Sequence, residues 1–446
     1  MLIMKRLFYR LFYTSYTVTE WFKRRFTTLG KGIMVCLVIS TFIGIDTKQT
    51  MAYQILAFIL AILSIAIICS FRFRDRFSVT RTLPKFATVG VRLQYSIAID
   101  NRTSKTQTGL QVRETFADPR PSSAELTKYL RNYQKKGGFV SITVIYYRWL
   151  QLIKRNQGAT TKTIQLSTIA PRSSTKAMVE LMPSRRGVIR LAGITIARPD
   201  PLGIFNACKM VAVAQSLLVL PKRYQIPPFE LSGARKAQSG NVSLASSVGD
   251  SEEFMSLRDY RPGDPLRKIH WKSWAKTDKP VVKEEQAEFF VRHGLILDTF
   301  DTKEYSEILE EAISVAASFA CDWQTQESLL DLMFVGEEAY CFTSGRGLGN
   351  TEQMLEVLAS VNACRDKSFE SLTSTVVGRT SLLSGCICVL IHWDEERKKL
   401  LRYLQGLKVP TLVLVISETE PEDRFEFNNL YWLELDKVQE TLMTIH

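Results

Sequence analysis

Two apolar runs stand near the start of the chain: "GIMVCLVISTFIGI", Gly32–Ile45, and "MAYQILAFILAILSIAIICSF", Met51–Phe71. The second reaches the roughly 20 residues a helix needs to cross hydrocarbon. The first is shorter, and must borrow flanking residues or sit where the bilayer is thinned. Only "DTKQT", Asp46–Thr50, separates them, so the spacing predicts a tight transmembrane hairpin whose backbone groups bond within each helix. No small-residue cleavage site follows the first run, which argues against a cleaved signal peptide. The preceding "RLFYRLFYTSYTVTEWFKRRF" mixes aromatic and basic residues and suits the headgroup level.

From Phe77 to Leu220 the period changes. "VRLQYSIAIDNRT" and "GVIRLAGITIARPDPLG" alternate apolar and polar positions, punctuated by Gly, Pro and Asn, which predicts an antiparallel β-sandwich over residues 77–222. "DPLG", Asp200–Gly203, supplies a turn, with Pro fixing φ and Gly tolerating positive φ. Residues 125–158, long, basic and aromatic, break the alternation and read as an insertion. It either touches the membrane or a partner, or packs as a solvated excursion on the sandwich.

After residue 290 strands and helices alternate. "GLILD", "LLDLMFV", "CICVLIHW" and "PTLVLVIS" read as buried strands, and "EYSEILEEAISVAASFACDW", "TEQMLEVLASV" and "DEERKKLLRYLQGL" as helices. This predicts an α/β domain over residues 291–446 with a parallel, doubly wound sheet. Ligands of such sheets sit beyond the carboxyl ends of the strands. No glycine-rich phosphate loop follows any of these strands, so a nucleotide site is unsupported.

Charge and cysteine refine this picture. The net charge is +13, but residues 1–80 hold eleven Lys and Arg against three Asp and Glu, so much of the excess flanks the apolar runs. Arg24, Arg25 and Lys31 precede the first run and Arg72, Arg74 and Arg76 follow the second, which predicts an inner-membrane protein with both ends cytoplasmic. The eight Cys include no CxxC pair and fit reduced thiols. The chain holds only four His, which argues against a multi-histidine metal centre.

The chemistry concentrates in "EFMSLRDYRPGDPLRKIHWKSWAKTDKPVVKEEQAE", within a linking region of residues 223–290. Its candidate binding residues are Arg258, Asp259, Tyr260, Arg261, Gly263, Asp264, Arg267, His270, Trp271 and Lys272. "RPGD" is a turn that Asp264 can close through backbone amides, and a bidentate pair from Arg261 or Arg267 to Asp264 would lock it. Trp271 and Trp274 stand three apart and can share a helical face. "PVVKEEQAE" reads as a strand leading toward the sheet.

This block resembles the signature of the domain of unknown function 58 family. The "RRGVIRL", "DPLGIF" and "LLVLPK" elements and the two N-terminal spans extend the resemblance over most of the chain. It implies a membrane-anchored protein whose C-terminal part is a von Willebrand factor A-like domain. It also implies a partner, a MoxR-type AAA+ ATPase. In von Willebrand factor A-like domains the first strand ends in an Asp-x-Ser-x-Ser motif holding a divalent cation such as magnesium. Here the run is "DTFDT": Asp298 and Thr302 keep oxygen ligands, Phe300 replaces the middle serine, and Asp301 is displaced by one residue. Asp394 is the later acidic candidate, with Thr343 or Thr351 as loop threonine. The alternative is that Asp298 caps a helix starting near Thr302.

Three function classes follow. The first is a non-enzymatic adaptor without a required cofactor, presenting clients to the ATPase in envelope or complex assembly. The second is a hydrolase or transferase using His270 with Asp264, for which no nucleophile motif is visible although Ser273 lies three residues on. The third is a nucleic-acid binder using the basic block 258–283, disfavoured by the interleaved Asp residues and the membrane anchor.

Overall fold

The computed structural model describes residues 2–43, 50–71, 76–127, 142–229, 231, 254–262, 264, 266, 269–277, 279–285, 291–303, 305–322, 328–345, 351–421, 426–427 and 429–445. They fall into two compact units, Met1–Lys222 and Arg223–His446.

The first unit begins with three helices, α1 (Leu2–Arg25), α2 (Thr28–Ile43) and α3 (Thr50–Phe71). Among the described residues only α3 is long and apolar enough to cross a membrane, over Tyr53–Ser70; the apolar part of α2, Thr28–Phe42, is shorter. The turn expected between them, with Asp46 and Lys48, lies outside the described residues. Ile33, Met34 and Leu37 of α2 join Ile59, Ile62, Leu63 and Ala66 of α3 in one apolar cluster. Val35, Phe42, Phe58 and Ile68 remain exposed.

The sandwich strands are β1 (Phe77–Thr82), β2 (Phe86–Thr88), β3 (Leu93–Asn101), β4 (Gln111–Phe116), β5 (Ala159–Thr161), β6 (Ile164–Gln165), β7 (Ser174–Pro183), β8 (Gly187–Pro199) and β9 (Asn206–Leu220). They form two sheets, ordered β1-β3-β7-β5 and β2-β9-β8-β4-β6. Every pairing is antiparallel except β2 with β9. Alternate residues point inward, and Ile97 and Ile99 of β3, Leu181 of β7, Ile194 and Ile196 of β8 and Leu217 of β9 build one shared core. Arg81 on β1 reaches Glu114 on β4 through this core, Nε to Oε1 at 2.8 Å and Nη2 to Oε2 at 3.0 Å.

The "DPLGIF" turn joins this sandwich to the helices. Asp200 Oδ1 accepts the Ile204 and Phe205 amides at 2.6 and 2.7 Å, and Gly203 takes φ +69°. Ile204 and Phe205 thereby enter the α2–α3 cluster beside Phe26, and the Thr27 amide donates to the Ile204 carbonyl at 3.2 Å. The insertion contributes α4 (Ile142–Gln157). Its apolar positions Trp149, Leu152 and Ile153 pack on Phe12 of α1 and on Leu126, with the Tyr16 ring edge-on to Trp149 at 5.5 Å.

The second unit opens with a separate two-stranded antiparallel sheet, β10 (Phe254–Asp259) and β11 (Val281–Glu285), with α5 (Trp271–Thr277) between them. "PVVKEE" therefore pairs with β10, where the sequence suggested a run toward the large sheet. That sheet comprises β12 (Val291–Leu297), β13 (Ser328–Val335), β14 (Ala339–Ser344), β15 (Gly385–Leu390), β16 (Thr411–Ile416) and β17 (Leu430–Leu433), in the order β14-β13-β12-β15-β16-β17. It is mixed, which corrects the parallel expectation: β13 and β14 form a hairpin over a three-residue turn, and β14 runs antiparallel. The other pairings are parallel. The helices are α6 (Glu307–Asp322), α7 (Thr351–Ser360), α8 (Glu370–Val377), α9 (Glu395–Gly406) and α10 (Val438–Leu442). β15 is buried at every position, as a central strand covered on both faces must be. The chain leaves β12 for β13 on one side and later returns to place β15 on the other, so the topological switch point lies between β12 and β15.

Candidate functional site

The signature block folds on the β10–β11 pair. Arg258 stands opposite Val282 and Asp259 opposite Val281, and the ladder continues through Tyr260 N–H to the Pro280 carbonyl at 2.9 Å. The loop folds back so that Ile269 bridges Val282 and the His270 amide donates to the Val281 carbonyl at 2.8 Å. Ile269, Val281 and Val282 are buried and form the apolar floor of the block.

Arg258, rather than the Arg261 side chain, grips Asp264 and locks the turn. Arg258 places Nη1 and Nη2 at 2.7 and 2.8 Å from the two Asp264 oxygens. Asp264 Oδ2 also accepts the Arg261 amide at 2.9 Å. Arg261 thus contributes its backbone to the turn and its side chain is exposed. Gly263 and Arg267 lie outside the described residues. The Arg258 guanidinium, and then the Arg261 amide, hold the Asp264 carboxyl down to about 2.

α5 presents the aromatic pair: Trp271 and Trp274 stack with centroids 5.2 Å apart. Trp271 is 63% exposed, and Lys272 beside it is also exposed. His270 Nδ1 lies 2.7 Å from Ser273 Oγ, while the His270 carbonyl accepts the Trp274 amide at 3.0 Å. The pair thus closes the first turn of α5. Asp264, expected to orient His270 in a catalytic arrangement, faces Arg258 and Arg261 with both oxygens, and Asp259 is exposed.

A second cluster sits at the carboxyl end of β12, beside the switch point. Asp298 is fully buried. Its Oδ1 accepts the Phe300 amide at 3.0 Å and Arg397 Nη2 at 3.2 Å; its Oδ2 accepts Arg397 Nε at 3.0 Å and the Ile391 amide at 3.3 Å. Arg397 Nη1 reaches Asp394 Oδ2 at 2.7 Å, and Asp394 Oδ1 caps α9 through the Arg397 amide. The guanidinium lies 4.2 Å from the Phe369 ring centroid. Burial pushes the Asp298 carboxyl up, against the pull of Arg397. Burial also opposes the Arg397 charge, but Asp298 and Asp394 more than offset it and hold the guanidinium above its ordinary value.

This donor set does not fit a divalent cation while Arg397 is in place. Both Asp298 oxygens already accept two hydrogen bonds each, and Thr302 is exposed. Asp298 turns its carboxylate to the Phe300 and Ile391 amides and to Arg397, and α6 begins only at Glu307, so the helix-capping reading is corrected as well. Asp301 accepts the Lys303 amide, and Thr343 bonds Asp331, away from Asp298. Among the described residues no group of three or more His, Cys, Asp or Glu is placed to hold a metal ion.

Arg397 was missed in the sequence, although its spacing of three from Asp394 on a helix start was visible. The same holds for buried Asp331, to which Arg292 and Arg379 each present Nη1 at 3.8 Å from Oδ2. Beside the Asp298 cluster, past the carboxyl ends of β15 and β16, an open groove of about 720 Å³ is lined by Lys303, Ile391, His392, Trp393, Lys398 and Glu418 among others.

Residues 256–380 match the family model described as "Protein of unknown function DUF58". The match takes in the signature block and Asp298 and stops before Asp394 and Arg397. "Uncharacterized protein YeaD" of Bacillus subtilis (strain 168) is 26% identical over 182 residues, 40% of this chain and 44% of that protein. The alignment thus spans under half of the relative's length. Among solved structures, a CARDB domain from Pyrococcus furiosus in complex with di-metal ions aligns at 10% identity over 33% of this chain and 89% of its own, with a TM-score of 0.17. A PapD-like domain of human CEP192 aligns at 10% identity over 32% and 84%, with a TM-score of 0.18.

Proposed function

We propose that the chain is a membrane-anchored, cytoplasm-facing adaptor whose signature block docks a partner protein, with a MoxR-type AAA+ ATPase as the partner that the family resemblance implies. The observation that carries this reading is the division of labour within the block. Arg258 pairs internally with Asp264, while Trp271, stacked on the half-buried Trp274, and Lys272 are exposed. Internal pairing fixes a shape, and an exposed Trp is among the residue types that dominate interface hot spots. The von Willebrand factor A-like assignment of the large-sheet domain rests on the same resemblance.

Anchoring by α2 and α3 together is supported by their common cluster and their exposed apolar outer faces. Basic residues before α2 and after α3 favour cytoplasmic ends. In an affinity purification from native membranes, Trp271→Ala and Lys272→Ala should each lose most of the co-purifying ATPase without a change in thermal midpoint. Undiminished recovery in both variants sinks the docking reading.

One observation favours an alternative, a hydrolase or transferase: the 2.7 Å contact between His270 Nδ1 and Ser273 Oγ. A serine-directed fluorophosphonate probe that labels Ser273, and fails to do so in His270→Ala, would support it. The adaptor reading expects no labelling.

A further inference from the structure

We propose that the junction of α1 with α2, together with the "DPLGIF" turn, is a lipid-headgroup collar: Trp21 and Leu202 seat at the acyl–headgroup boundary, and Arg24 and Lys31 engage anionic phospholipid headgroups beside them. The inference rests on the membrane-anchored reading and deepens it, by naming the surface of the first unit that lies on the bilayer and the lipid class it selects.

The depth comes from α3. Phe26, Ile204 and Phe205 pack with Leu63 and Ala66 in one cluster. Those two α3 residues lie inside the apolar stretch Tyr53–Ser70, and stand roughly 10 and 6 Å before its end along the helix axis. A span set in hydrocarbon over that stretch therefore puts the turn at the edge of the hydrocarbon, where the headgroup layer begins. The turn is also fixed there. Phe26 bridges Phe205, and the Thr27 amide and hydroxyl donate to the Ile204 and Gly203 carbonyls at 3.2 and 2.5 Å. The sandwich thus follows the span to the bilayer surface.

The outward side chains suit such an interface. Trp21 is held among Phe22, Phe26 and Phe205, with ring centroids 5.6, 6.2 and 6.2 Å away, yet remains 48% exposed. Leu202, within the turn, is exposed to the same extent. An indole with an apolar body and one polar N–H is what membrane interfaces enrich. The basic groups divide. Lys23 pairs with Glu20 at 3.0 Å, and Arg25 turns to the Asn206 carbonyl and the Phe205 ring. Arg24 and Lys31 are exposed on either side of the junction, and Glu20 is the single acidic residue between Leu2 and Ile45. Asp200 turns its carboxylate inward to the Ile204 and Phe205 amides. The outward charge is therefore positive, and a surface of anionic headgroups complements it.

The test reconstitutes the full chain in nanodiscs of equal parts phosphatidylcholine and phosphatidylglycerol. With phospholipids brominated near the top of the acyl chains, wild-type tryptophan emission should be quenched, and Trp21→Phe should remove most of the quenchable part. With spin-labelled lipids, the motionally restricted fraction should favour phosphatidylglycerol over phosphatidylcholine by about fivefold, the factor one basic group supplies near an anionic surface. Arg24→Gln with Lys31→Gln should lose at least half of that preference, the remainder belonging to Arg72, Arg74 and Arg76 after α3. Arg92→Gln, beside the end of β3 away from α3, should behave as wild type.

A Trp21→Phe chain quenched as fully as wild type overturns the proposal. So does a lipid preference that the double variant leaves unchanged, or that Arg92→Gln lowers equally. Release of the wild-type chain from native membranes by alkaline carbonate would remove the anchoring reading and the collar with it. A chain that resists carbonate yet shows neither signal overturns the collar alone.

Discussion

Arg258 grips both carboxylate oxygens of Asp264, six residues on, at 2.7 and 2.8 Å, and the same carboxylate caps the Arg261 amide. Strand end and turn are thus one unit, and Asp264→Ala should release it. Because the folded-state pKa, about 2, lies below the ordinary aspartate value, the contribution is complete above about pH 4 and is lost as pH falls through about 2. Amide hydrogen exchange at Arg261 is the measurement. Protection should persist at pH 5 in wild type and be missing in Asp264→Ala. Equal protection in the two chains would refute the lock.

Gly30 marks a second dependence. A Cβ at this position would overlap the Ile204 carbonyl, so α2 can approach the "DPLGIF" turn only with glycine there. Gly30→Ala should cost about 2 kcal/mol of stability through overpacking. Gly32→Ala is the matched control, since a Cβ there meets nothing within 4 Å. It should leave stability unchanged or slightly raised through helix propensity. Thermal scans of both variants in the same detergent decide it, and equal effects would show that the approach at Gly30 is not limiting.

The Arg81–Glu114 pair ties one sheet of the sandwich to the other with both side chains fully buried. Breaking it one-sidedly strands a charge in the core, so Arg81→Met should destabilise by about 4 kcal/mol. Arg81→Met with Glu114→Leu should regain most of that loss, because the second change removes the stranded charge. Urea unfolding of the two variants reads the difference. No recovery in the double variant would mean that the pair itself, beyond charge balance, holds the sheets.

Several strands and helices were legible because burial imposes their periods: Tyr95, Ile97 and Ile99 alternate on β3, and Leu309, Ile313 and Ala316 share one face of α6, whereas the helix α4 within the insertion was not read from the sequence. The antiparallel β14 was not visible, since "AYCFTS" has no full apolar face and the edge position demands none. The sequence offered Arg261 or Arg267 as the partner of Asp264, since each stands three residues from it. The register of β10 is what brings Arg258 to the carboxylate. Asp298 was found from its motif, but its guanidinium partner lies 99 residues away, where only the folded sheet brings them together.

His293 on β12 supplies the last prediction. It is buried, and desolvation alone holds its pKa down to about 4. The unfolded chain, with an ordinary imidazole near 6.5, therefore binds more protons than the folded one between about pH 6.5 and pH 4. This contribution to stability is complete above about pH 6.5, falls as the pH drops toward 4, and levels off below. Between pH 7.5 and pH 5 the loss should be about 2 kcal/mol, at 1.36 kcal/mol per pH unit. His293→Leu removes the titrating group, and subtracting its pH–stability curve from that of wild type cancels the other carboxylates and histidines. Chemical unfolding at the two pH values should show the variant less sensitive to acid by that amount. Parallel curves would mean that His293 keeps its proton affinity on folding, and that a polar partner offsets its burial.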